Sequence, residues 1–161
     1  MEDALRLLPS RAELELLLRV VFAALAGGAI GWNRHRRGKP AGIGTHALVA
    51  LGAALFVAVP AHLSAVQGAD AISRVIQGVA TGVGFLGAGE IFRDPDSVRS
   101  IHGLTSAAAI WATAALGVLS VAGSWTTILL ATALVLVVLA VAPRVERKCP
   151  PPGGAVSGGP A

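Results

Sequence analysis

The sequence predicts an all-α fold, an integral membrane bundle of about five transmembrane helices. Three observations lead there. Of 161 residues, 54% are hydrophobic and only 14% are charged, and mean hydropathy is +0.70. An average soluble domain carries roughly 25% charged residues, so this chain cannot clothe itself in polar groups. Its apolar runs are long enough to cross a hydrocarbon layer, which takes about 20 helical residues each. The basic residues cluster in alternate connections between those runs.

The first run, Leu14 to Trp32, carries Arg19 and then the stretch Val20 to Gly31. A signal peptide is the competing reading, with Ala24-Leu25-Ala26 as a cleavage-like triplet. The run continues past that triplet and ends in a strongly basic loop, so a span is expected instead. The second run is Gly42 to Ala61 and the third about Ile72 to Phe92. The fourth is Leu104 to Gly123 and the fifth Trp125 to Ala142. A soluble bundle would need a polar stripe on each helix. Ile128 to Ala140 is apolar all round apart from Thr132, which excludes one. Residues 1–148 therefore read as a single transmembrane domain. Residues 149–161, rich in Pro, Gly and Ser, read as a disordered tail. The single cysteine, Cys149, has no partner for an internal disulfide.

Orientation follows from the loops. Arg34, Arg36, Arg37 and Lys39 follow the first run, Arg93 and Arg99 the third, and Arg144, Arg147 and Lys148 the fifth. The stretch His62 to Ala71 and the turn at Ser124 contain no Lys or Arg. With an odd number of spans, the N-terminus is expected outside and the C-terminus in the cytoplasm. The formal charge of +4 and pI of about 10.6 are thus topological. No nucleic-acid partner is expected, because aromatics make up 4% and Tyr is absent.

Gly82-Val83-Gly84-Phe85-Leu86-Gly87 has the letters of a dinucleotide fingerprint, but it lies inside an apolar run with no preceding strand. Helix packing is the better use of these glycines. Small residues let helix backbones approach closely in lipid, where no hydrophobic force drives helices together. Gly27, Gly31, Gly78, Gly82, Gly84, Gly87 and Gly89 are the expected packing positions.

Ionisable groups at membrane depth are better pointers to function. Arg19, His46, Arg74 and Glu90 qualify. Arg19 is expected to snorkel toward headgroups. The span order places Arg34, Arg36, Thr45, His46, Glu90, Arg93, His102 and Thr105 at one face, the cytoplasmic one. Glu90 is expected to pair with a base of the first loop or with His46. The candidate functional cluster is Arg34, Thr45, His46, Arg74, Glu90 and Thr105. Asp94 and Asp96 read as solvated loop carboxylates rather than a metal site. No nucleophile, acid and base constellation is present, so neither an enzyme nor a cofactor is expected.

Several ordered blocks, spread from about Arg19 to Gly123, resemble the MgtC/SapB family of small bacterial inner-membrane proteins. They are Gly31-Trp32-Asn33-Arg34, Gly38 to Val49, Ser73 to Gly78, Gly82 to Gly89, and Gly103 to Ala108 with Trp111. The resemblance implies a multi-pass protein of the bacterial inner membrane, tied to magnesium homeostasis and to survival inside host cells. It implies a regulator rather than an enzyme, with another membrane complex, the ATP synthase, as partner beside the lipid bilayer. A homo-oligomer and a small oligomeric cation transporter or channel are the alternatives. The chain resembles the short form, without the soluble C-terminal domain. Two positions depart from the pattern: Asn33 stands where the family usually has Glu, and Gly44 where it has Arg.

Overall fold

A computed structural model of the chain describes residues 9–63, 68–93 and 101–148. Within them run α1 (Arg11–His35), α2 (Ile43–Leu63), α3 (Gly68–Glu90), β1 (Phe92–Arg93), β2 (Ile101–His102), α4 (Leu104–Ala122) and α5 (Trp125–Lys148). All five helices are long and apolar enough to cross a membrane, with hydropathy from 1.2 in α3 to 2.5 in α5. The expected all-α membrane bundle is therefore the fold, and the strands are a two-residue antiparallel pair joining α3 to α4. The tail 149–161, Asp94, Asp96 and Arg99 lie outside the described residues.

Local chemistry sets the boundaries. α1 opens on a capping box: Ser10 Oγ accepts from the Glu13 amide at 3.2 Å, and Glu13 Oε2 accepts from the Ser10 amide at 2.7 Å. α3 stops at Glu90, short of the expected Phe92, because Phe92 pairs with His102 across the strands. α4 starts after Gly103, whose φ of 91° only glycine adopts easily; a Cβ there would strike the Glu90 carbonyl.

The bundle centres on α2, which packs against α1, α3 and α4, while α5 lies at the margin. Its buried residues are mostly small: Ala23, Ala26, Ala50, Ala53, Ala54, Ala109 and Ala114. Most of the large side chains point outward instead, and Phe85 is 82% exposed, although Ile30, Ile110 and Ile128 are buried. This inversion suits lipid, where close backbone approach, not apolar burial, joins helices.

Only some of the expected glycines make such contacts. A Cβ on Gly27 would strike the His46 carbonyl and lie 2.8 Å from Ala50 Cβ. One on Gly31 would lie 2.5 Å from Ile43 Cα. Gly87 meets Ala107 Cβ of α4 at 3.4 Å. By contrast, nothing among the described residues lies within 4 Å of a Cβ at Gly78, Gly82, Gly84 or Gly89. The helical period explains the correction. Val79 and Val83 belong to the packed face, with Gly87 one turn on, and each intervening residue is turned by about 100°. Gly78 and Gly82 instead line a cleft of about 650 Å³ between α2 and α3. The sequence reading missed Gly117, where a Cβ would strike the Ala50 carbonyl and lie 2.9 Å from Ala53 Cβ. Glycines of α1 and α4 thus clamp α2 at Ala50 from two sides.

Candidate functional site

The end of the bundle that carries the basic loop holds most of the buried charge. Arg34, in the last turn of α1, is 1% exposed although it is a guanidinium. Its Nη2 donates to Ser106 Oγ at 2.7 Å, and Ser106, in the first turn of α4, is also buried. Arg34 Nε has no hydrogen-bond partner among the described residues. The close α1–α2 crossing at Gly31 brings this turn beside the start of α2, where His46 is fully buried. His46 Nδ1 donates to the Gly42 carbonyl at 3.0 Å, which leaves Nε2 buried and without a partner among the described residues.

Glu90 closes α3 at the same end. It is partly buried, and its Oε2 also lacks a partner. Among the described residues the ion pair within 4.0 Å is Glu15–Arg19, and Glu90 makes none at that distance. Three helix ends thus bring a guanidinium, an imidazole and a carboxylate together, each with one buried polar atom unsatisfied. Such atoms cost free energy unless water or a partner meets them.

The other expected members fall elsewhere. Thr45 and Thr105 are exposed at this end, and Thr105 lines a cleft of about 440 Å³ with Arg34, Lys39 and His102. Arg74 does not belong: it is exposed near the start of α3, roughly 24 Å of helix rise from Glu90. Of the two positions that depart from the family pattern, Asn33 has a buried, unpartnered Oδ1, and Gly44 faces open space.

Arg19 also differs from expectation. It does not snorkel but caps α4: Nη1 donates to the carbonyls of Ser120 at 3.0 Å and Gly123 at 2.7 Å. Glu15 receives its other nitrogens, and Trp125 lies under the guanidinium, 5.2 Å from its carbon to the ring centroid. Carbonyls at a helix C-terminus have no partner in their own helix and attract a cation. The partner is about 100 residues away in sequence, so no local pattern reveals it.

Polar groups away from the basic end are satisfied at home. Thr113 donates to Ala109 O at 2.8 Å, Ser120 to Gly117 O at 2.7 Å and Thr81 to Gln77 O at 2.9 Å, each within its own helix. No group of three or more His, Cys, Asp or Glu suited to a metal occurs among the described residues.

Fold and site together define a multi-pass helical membrane protein with its buried charge gathered at one end. The chain belongs to the MgtC family, which it matches over residues 20–148. It is 47% identical to SrpB of Synechococcus elongatus over 148 residues, covering 87% of this chain and 81% of SrpB. It is 42% identical to YhiD of Escherichia coli K12, a protein whose name proposes magnesium transport, over 79% of this chain and 60% of YhiD. It is 43% identical to MgtC of Brucella abortus over 74% of this chain and 48% of that protein. The chain thus spans most of SrpB but about half of MgtC. No solved structure matches it.

Proposed function

We propose that this chain is a non-enzymatic protein of the bacterial inner membrane that modulates neighbouring membrane machinery linked to magnesium homeostasis. Its N-terminus lies outside and its C-terminus in the cytoplasm. The basic end of the bundle is then the cytoplasmic face, and the Arg34–His46–Glu90 cluster is its working part. The membrane sector of the ATP synthase is the partner that the family resemblance implies. The name of YhiD supports the magnesium link.

The observation that carries this reading is the distribution of unsatisfied polar atoms. Among the described residues, Arg34 Nε, His46 Nε2 and Glu90 Oε2 are buried without partners at one end, whereas Thr81 and Thr113 at mid-bundle are satisfied within their own helices. A cation path needs polar groups along its length, and a regulatory contact needs them only where the partner sits. Purified protein in proteoliposomes should pass no magnesium by itself. In cells, Glu90→Gln should abolish growth support at low magnesium while the protein stays in the membrane.

An oligomeric cation transporter is the second reading; the open cleft at Gly78 and Gly82 favours the oligomer it requires, since a second copy could complete it. Magnesium flux through proteoliposomes containing this protein alone would establish it over the first.

A further inference from the structure

A second cleft, of about 660 Å³, lies between α1 and the margin helix α5. It changes character along its length. Leu136 and Val137 of α5 line it toward the middle of the span, and Arg36, Arg37 and Arg144 line it at the basic end. Trp32, 55% exposed, stands at the boundary, the depth at which indoles settle in a bilayer.

The arginines are held together against their own repulsion. Arg37 Nη2 donates to the Ala140 carbonyl at 3.3 Å, and Arg144 Nη1 donates to the same carbonyl. One carbonyl therefore anchors two guanidiniums. Each guanidinium has five N–H donors, so most stay available. Arg36 is exposed and has no ion pair among the described residues. Among the described residues, none that lines the cleft is acidic. Clustered cations at a membrane surface with no described carboxylate beside them call for an anion from outside the chain.

We propose that this cleft binds one anionic glycerophospholipid, with the phosphate among Arg36, Arg37 and Arg144 and an acyl chain along Leu136 and Val137. Charge complementarity selects the phosphate. The apolar half selects a lipid over a free anion, since a soluble phosphate would leave that half in contact with nothing it can use. The site is separate from the Arg34 cluster and does not depend on how that cluster works.

The experiment is lipid retention by the full chain, released from vesicles of mixed phosphatidylglycerol and phosphatidylcholine and read by native mass spectrometry. The protein should keep one phosphatidylglycerol in preference to phosphatidylcholine. Near an anionic surface each cation is worth roughly fivefold in affinity, so Arg36→Gln should lower the preference about fivefold. Among the described residues Arg36 makes no side-chain hydrogen bond or ion pair that the fold needs, so this variant should retain its stability. Asn33→Glu, which puts a carboxylate at the cleft wall, should lower the preference as well. Arg11→Gln, at the opposite end of α1, should leave it unchanged. Equal loss in Arg11→Gln and Arg36→Gln would mean bulk charge alone and overturn the site. So would displacement of the lipid by millimolar inorganic phosphate, which would show that a free anion suffices.

Discussion

Gly27→Ala tests whether close backbone approach holds α1 to α2. The new methyl would strike the His46 carbonyl and lie 2.8 Å from Ala50 Cβ. Ordinary carbon contacts begin near 3.5 Å, so the helices must part by roughly 0.7 Å or more. Neither obstacle can swing away, because one is backbone and the other a Cβ fixed to it. Gly117 backs the same segment of α2 from the α4 side, so α2 cannot retreat. Overpacking of this kind costs about 1–3 kcal/mol. Alanine recovers up to about 1 kcal/mol through its better helix propensity. Because neither obstacle can yield, the cost falls in the upper half of that range, and the net loss is about 1–2 kcal/mol, roughly a tenfold fall in the ratio of folded to unfolded protein. Gly82→Ala is the matched comparison: its methyl meets nothing within 4 Å, so only the propensity gain remains. Thermal unfolding of both variants in one detergent, followed by size-exclusion recovery, compares them. Equal midpoints, or a more stable Gly27→Ala, would refute the argument. A loss confined to Gly82→Ala would place the tight contact at the α3 face, between copies of the chain.

Three further outcomes are expected. Ser106→Ala should lower stability by about 1–3 kcal/mol, because it strands the buried Arg34 Nη2 without an acceptor; the unfolding midpoint in detergent reads this directly. Arg19→Gln should destabilise the α4–α5 corner by about 1–2 kcal/mol through loss of charged hydrogen bonds to Ser120 and Gly123, and should shift Trp125 fluorescence as the cation leaves its ring. A periplasmic reporter fused after Arg147 should be silent and a cytoplasmic one active; the reverse pattern would invert the proposed orientation.

The sequence by itself determined the element count, the solvent and the basic end. These depend on run length, on hydropathy and on which connections hold arginine, and all three are written along the chain. It also marked Gly27, Gly31, Arg34, His46 and Glu90, because glycine at spacing four and charge at membrane depth are local anomalies. What it could not determine was which face each helix turns inward. In α3 the glycines at spacing four look outward while Val79, Val83 and Gly87 pack, and hydrophobicity cannot separate these faces because lipid and core are equally apolar. Pairings between distant helices were hidden for a related reason. Arg34 reaches Ser106, and Arg19 reaches the end of α4, only once α1 and α4 lie side by side. Arg74 shares a charge type with Arg34 but sits at the far end of α3, so only the tertiary fold separates the cluster from a cation that merely resembles its members.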